Sequence, residues 1–211
     1  MVTSSRDPVR TRERILRAAR REFVAKGFAG ARVDAIARAA RVNKRMLYHY
    51  YGDKEGLYRA TLYEGMATNL DLVASAPAEP ADLLPFLFAR AAKRVDGIRL
   101  LQWEALGAGD RKPIAEDERR KAWVEGTERI RDAQRAGRLH ADLDPEYLVL
   151  ALMALTIFPL AFPQLVRIVT GTRPADAEFL QRQARLLRRL GHHLQPPATH
   201  AASPANKETH R

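Results

Sequence analysis

Apolar side chains recur along this chain every three or four residues, the period of one helix face, and never settle into the alternation of a half-buried strand. Alanine, leucine and arginine dominate, and no Asn-Gly or Asp-Gly hairpin signal interrupts them, so helices are predicted throughout. The first runs from about Thr11, a residue suited to an N-cap, to Lys26, where Gly27 stops it. Its apolar stripe is Ile15, Leu16, Ala19 and Phe23, with arginines around the rest of the cylinder. A short second helix near 33–39 buries Val33, Ile36 and Ala37, and Ala40-Arg41-Val42 makes a tight turn. Asn43 caps a third helix reaching about Tyr50, and Asp53 caps a fourth that starts at Lys54.

Beyond the Pro- and Ala-rich loop at Pro77 to Pro80, further helices are predicted near 82–96, 98–108, 116–136, 146–162 and 175–194. Their punctuation is local: the Gly107–Pro113 segment reads as a loop, Gly137 ends one helix, and Asp144-Pro145 opens the next with an N-cap and an N1 proline. About the first eight residues and the tail over 195–211 are expected to be disordered.

Composition narrows the class. The chain has no cysteine, which excludes disulfides, thiolate metal sites and a cysteine nucleophile and fits a reducing cytoplasm. No apolar run follows the N-terminal charges, so a secretory signal is not expected. The longest apolar stretch, Tyr147 to Leu165, is interrupted by Pro159 and Pro163 and reads as a buried core helix rather than a membrane span. Charge is distributed unevenly. The first 60 residues hold fifteen basic and six acidic side chains, a net of +9, whereas the other 151 carry only +2. A basic segment ahead of a nearly neutral one is the footprint of a polyanion-binding module, with a solvated Arg-rich helix surface as the alternative.

The chemistry concentrates in residues 33–54, whose spacing is that of a helix-turn-helix. Ala37 and Ala40 are small where two helices must cross, and Ile36, Val42 and Leu47 can pin both helices into one core. Lys44 and Arg45 are then presented outward on the first turn of the third helix, within reach of base edges or phosphates in a major groove. Tyr48 follows one turn on with a hydroxyl for a phosphate oxygen. Lys54 stands at a helix start, where free N–H groups and the positive dipole end favour a phosphate. Each has a plainer reading: Tyr48 and Tyr50 as packing between the third and fourth helices, Lys54 as an exposed lysine, and Arg6 and Arg10 as solvated rather than entering a minor groove.

This segment resembles the tetracycline-repressor (TetR) family of bacterial regulators. The matching residues are Thr11-Arg-Glu-Arg-Ile-Leu-Arg-Ala-Ala, Phe23, Gly27-Phe28, Val33-Asp-Ala-Ile-Ala, Ala40, Val42-Asn-Lys, Leu47-Tyr-His-Tyr-Tyr and Lys54-Glu-Gly-Leu57. The resemblance implies an all-α fold: an N-terminal three-helix DNA-binding domain with a helix-turn-helix, then a larger helical domain for ligand binding and dimerisation. The corresponding division is a basic arm over 1–9, a head over 10–56, a regulatory body over 57–194 and a tail over 195–211. It implies that Lys44, Arg45 and Met46 face the groove, that His49 touches a base or the backbone, and that Arg32, Tyr48, Tyr50 and Lys54 contact phosphates. The chain departs from the family at three positions. Arg41 stands where glycine is usual, a cost of roughly 1 kcal/mol if that residue is left-handed. Arg45 replaces a small residue and Met46 a hydroxyl one, which points to a different base preference through a guanine or a thymine methyl.

For the second half the resemblance implies dimerisation through the last two helices and, often, a small-molecule effector. The helix after Tyr147 is apolar around much of its circumference and needs cover on several sides, from a partner subunit or from its own chain. Leu148, Leu152 and Leu155 with Phe179, Leu180, Leu187, Leu190 and Leu194 are the candidate dimer residues. Pocket candidates are Met66, Phe86, Trp103, Leu106, Trp123, Met153 and Phe158, with Gln102 and Thr156 as polar handles; core packing is the alternative for most. No metal is expected: Asp144 is accounted for by capping, and His140 and Asp142 by a polar loop. No cofactor motif, paired carboxylates, nucleophile elbow or phosphate loop supports an enzyme. The expected partners are a palindromic duplex operator, a second copy of the chain and a small effector, with no membrane. The rival is a ligand-independent regulator, or a non-specific DNA-binding or scaffold protein.

Overall fold

Pro8 opens the first helix of the computed structural model, which describes residues 7–74, 76–108 and 112–197; the side chains of 65–74, 108 and 122 lie outside the description. Arg6 and the tail beyond 197 also lie outside it. Ten helices and no strands are present among the described residues: α1 (Pro8–Gly30), α2 (Val33–Ala39), α3 (Lys44–Tyr51), α4 (Lys54–Ala74), α5 (Pro80–Ala92), α6 (Val95–Ala108), α7 (Glu116–Arg135), α8 (Pro145–Ala161), α9 (Pro163–Thr170) and α10 (Ala177–His193).

The sequence places the start of α1 at Thr11, but the cap is Asp7, whose carboxylate accepts from the N–H groups of Val9 and Arg10 at 3.0 and 3.4 Å. Thr11 is buried instead, its hydroxyl donating to the Asp7 carbonyl at 3.0 Å. Pro8 at the first helical position suits this, since an N–H there would have no intrahelical partner. Gly27 breaks α1 at φ 67°, after which one further turn reaches Gly30.

Two cores organise the chain. One joins α1 to α4 around Ile15, Ala19, Phe23, Ile36, Leu47, Leu57 and Tyr58, and it takes Leu100 from α6. The other joins α5 to α8 and α10 around Leu84, Phe88, Ile98, Ile130, Leu152, Phe179 and Leu187. Helix α6 contributes to both, and α4 also meets α7, where Arg59 pairs with Glu118 at 4.0 Å.

The apolar run from Tyr147 is two helices rather than one. Pro159 stays inside α8, because the Leu155 carbonyl it cannot satisfy accepts instead from Gln183 Nε2 of α10 at 3.3 Å. Pro163 ends the run: α9 leaves α8 at 84° through Phe162, and the Ala161 carbonyl accepts from Gln102 Nε2 at 2.7 Å. No single helix among the described residues is long and apolar enough to cross a membrane. Asp144 caps α8 as expected, accepting from the N–H groups of Glu146 and Tyr147 at 3.0 and 3.2 Å.

Candidate nucleic-acid interface

Helices α2 and α3 are joined by a turn that the backbone closes in a Schellman arrangement. The Val42 N–H donates to the Ala37 carbonyl at 3.0 Å and the Arg41 N–H to Arg38 at 3.1 Å. This puts Arg41 at the left-handed position with φ 54°. Arg41 thus adopts the left-handed conformation that glycine takes most readily. Asn43 then caps α3, its Oδ1 accepting from the Met46 N–H at 2.7 Å, and Leu47, wholly buried, pins the helix to Ile36 and Ala40.

With Leu47 inward, the outward side of α3 is set by geometry. Lys44, Arg45, Tyr48 and His49 are all exposed and fall within about two fifths of the helix circumference. Arg45 has no partner among the described residues. Lys44 is held by Asp34 of α2 at 3.1 Å, and that carboxylate pushes the ammonium pKa up. Met46 and Tyr50 are half-buried on the flanks; Tyr50 lies edge-on to His49 and under the Arg12 guanidinium, 5.3 Å from its ring centroid. Its neighbour Tyr51 donates its hydroxyl to the Arg12 carbonyl at 3.4 Å, tying the end of α3 to the start of α1.

Lys54 does not point freely outward. Its ammonium donates to the Ala29 carbonyl at 3.3 Å and lies 4.9 Å from the Phe28 ring, so it clamps the end of α1 to the start of α4. Arg32 is exposed, and its backbone N–H donates to the Glu22 carboxylate at 3.2 Å. That carboxylate is held below the usual range chiefly by its hydrogen bond from Lys26. Asp34 is the neighbour that sequence reasoning missed. Its signal was present as an acid in the first turn of α2, but the pair joins residues ten apart across a turn.

The body meets the head through Trp103 of α6. Its indole N–H donates to the Val24 carbonyl at 3.1 Å, and its ring covers Gly27, where a Cβ would come within 2.9 Å of the ring. Burial, with the Glu104 carboxylate adding to it, pushes the Tyr58 phenol up to about 12 at the same junction. Glu104 itself is held by Arg119 of α7 at 2.7 Å.

The pocket candidates do not converge on one enclosed space. Gln102, Trp103 and Leu106 share an open groove with Val24, Ala25 and Arg99 along the α1–α6 seam. Gln102 is engaged by Ala161, and the Thr156 hydroxyl by the Leu152 carbonyl at 2.8 Å. Trp123 and Phe158 are exposed, Phe86 and Met153 are half-buried, and Met66 belongs to the stretch of α4 whose side chains lie outside the description. Among the candidate dimer residues, Leu148, Leu152, Phe179 and Leu187 are buried within a single chain, and Leu180, Leu190 and Leu194 pack against that core. Only Leu155 is exposed, because α10 lays its stripe on α5 and α8 lays its own on α5, α6 and α7. Tyr147, Leu150, Ala151, Ala154, Leu155 and Phe158 stand exposed in a line on α8, and Leu186 on α10.

A helix-turn-helix head with a polar, basic reading side, packed on a larger helical body, is the architecture of a DNA-binding transcriptional regulator. Residues 15–61 match the family described as "Bacterial regulatory proteins, tetR family", and residues 81–189 match "Tetracyclin repressor-like, C-terminal domain". The HTH-type transcriptional repressor SCO4008 of Streptomyces coelicolor is 34% identical over 181 residues, covering 84% of this chain and 93% of that protein. The HTH-type transcriptional regulator UidR of Escherichia coli K12 is 28% identical over 158 residues, 72% of this chain and 80% of its own. Among solved structures, SCO4942 from Streptomyces coelicolor superposes with a TM-score of 0.73 at 27% identity, covering 88% of this chain and 98% of that one. The chain belongs to the TetR family of bacterial transcriptional regulators.

Proposed function

We propose that the chain acts in the cytoplasm as a homodimer that represses transcription by setting two α3 helices into a palindromic operator, and that a small, mainly apolar effector releases it. The observation that carries the DNA reading is the single outward side of α3, where Arg45 is unpartnered beside Lys44, Tyr48 and His49. Arg45 is the base reader, with Met46 at the groove wall. Tyr48, Tyr50 and Arg32 take phosphates, and Lys54 acts chiefly by fixing the α1–α4 corner that aims α3. Dimerisation is supported by the exposed apolar line on α8, whose three- and four-residue spacing suits a facing helix from a second copy. The effector reading is supported by the body's family and by α6, which shares its side chains between both cores.

Footprinting on the DNA flanking the gene tests this. One protected palindrome, with half-sites about one helical turn apart, is expected; length-dependent coating without sequence preference would sink the regulator in favour of a non-specific binder. In competition with operator variants, Arg45→Ala should relax preference at one base position by about 1–3 kcal/mol. Equal weakening on every sequence would make Arg45 a phosphate anchor instead.

A further inference from the structure

Asp34 is the one acid of the head, among the described residues, that touches a side chain on the reading side of α3. Its two carboxylate oxygens lie 3.1 and 3.2 Å from the Lys44 ammonium. Four other acids of the head are engaged elsewhere: Asp7 caps α1, Glu22 holds Lys26 and the Arg32 N–H, Asp53 takes the Gly56 N–H, and Glu55 pairs with Arg59. Glu13 is exposed on α1 and has no ion pair among the described residues. The choice of partner is informative. Arg38 stands four residues further along α2, the spacing of an intrahelical ion pair, and has no ion pair among the described residues. The Asp34 carboxylate instead reaches across the turn to a residue ten positions on. The helix dipole favours an acid in the first turn of α2 with or without a partner, so helix stability accounts for the acid but not for its hold on Lys44.

That hold changes what Lys44 can bind. An ammonium has three donors and no acceptor; with the two Asp34 oxygens facing it, a donor is left on the side away from the carboxylate. Lys44 remains 47% exposed and Asp34 67%, so both meet whatever lies against α3. A phosphate oxygen is anionic and is repelled by the carboxylate beside the ammonium. A base acceptor is neutral and meets no such opposition. In the major groove guanine presents two adjacent acceptors, N7 and O6, which suit a lysine donor. Non-specific binding, by contrast, is nearly all phosphate contact, so a tethered Lys44 adds little to it.

We propose that Asp34 is a specificity-determining residue, which keeps Lys44 off the phosphate backbone and commits its free donor to a guanine edge in the major groove. Asp34 acts through Lys44, as a positioning residue, and raises the ratio of operator to non-specific affinity by weakening the second. The proposal rests on operator binding by α3 and adds the means by which one of its two permanent cations is kept for base reading.

The test uses the full chain, the footprinted operator and a duplex of equal length and unrelated sequence, with Kd measured across a series of salt concentrations. Asp34→Asn should tighten binding to the unrelated duplex by about two- to fivefold per head, the range an exposed ion pair supports, and steepen its salt slope by about 1 per head as Lys44 gains a phosphate. It should not tighten operator binding, and in competition it should weaken the preference for guanine at one position of each half-site. Lys44→Ala gives a check that does not depend on Asp34 variants: it should weaken operator binding and leave the slope on the unrelated duplex unchanged. In that background Asp34→Asn should no longer steepen the slope. Thermal melts establish that each variant is folded at the assay temperature. Equal tightening of both duplexes by Asp34→Asn would overturn the proposal, as would a slope that Lys44→Ala lowers by about 1 per head on unrelated DNA, since Lys44 would then bind phosphate despite its neighbour. A footprint that fails for the unaltered protein would overturn the operator reading instead.

Discussion

Arg41 occupies a left-handed backbone position, φ 54°, in a turn whose hydrogen bonds are otherwise those of a helix end built for glycine. Its Cβ crowds the following carbonyl there, at about 1 kcal/mol, and its side chain is exposed. Arg41→Gly should therefore stabilise the protein by about 0.5 kcal/mol once the greater freedom of an unfolded glycine is subtracted; urea denaturation giving a lower midpoint would contradict it. This misfit was legible in the sequence because a turn is specified by adjacent residues. The partners of Lys44 and Lys54 were not legible, since Asp34 and the Ala29 carbonyl are brought to them by folding. Glu22 is a similar case with a pH signature. Hydrogen bonds from Lys26, then from the Arg32 N–H, lower its pKa against the opposing effect of burial. A lowered folded value means the unfolded chain binds the proton more readily, so the stabilisation is full above the ordinary glutamate range and is lost as pH falls through the lowered value. Glu22→Gln should cost about 0.5–1 kcal/mol at neutral pH, and that difference should shrink in melts taken at progressively more acidic pH; a gap that widens with acid would refute the assignment.

Periodicity told which elements are helices, but not what each apolar stripe faces. Leu187 of α10 and Leu152 of α8 have the spacing of an interface, yet both point into the core of their own chain, where α5 packs against both helices. A leucine stripe reads the same whether a neighbouring helix or a second subunit covers it. The α8–α9 corner escaped for another reason: two prolines four residues apart look equivalent, while only Pro159 has a side chain, Gln183, placed to satisfy the carbonyl it leaves free. The α5–α10 contact depends on one small residue. A Cβ at Gly191 would fall on the Pro80 carbonyl oxygen and within 2.6 Å of Ala81 Cα, both backbone atoms that no rotamer change can move. In an exposed helix, glycine to alanine gains up to about 1 kcal/mol. Here Gly191→Ala should instead lose about 1–3 kcal/mol by overpacking, lowering the calorimetric Tm by several degrees. A raised Tm would mean the helices separate freely.

For the whole molecule, the proposed mode of action requires two heads held at a fixed spacing, and a single chain supplies one. The exposed line on α8 is where that requirement meets the structure. Leu150 is 60% exposed and Phe158 50%, one turn to either side of Ala151, Ala154 and Leu155, an arrangement that leaves large apolar surface in water unless another subunit covers it. Across a two-fold axis each residue meets the same face of its partner, so one substitution alters the interface twice. Leu150→Glu/Phe158→Glu would bring four carboxylates into that face, with nothing in the intrachain core disturbed. Sedimentation should then show a monomer whose helix content and melting match those of the isolated chain, because both side chains lie outside the two cores. Operator affinity should fall by about 10²–10⁴, the advantage of linking two half-site contacts, while binding to a single half-site remains. If the double variant still sediments as a dimer, the interface lies elsewhere on α8–α10. If it is monomeric yet binds the full operator undiminished, one head suffices and the two-headed mechanism is wrong.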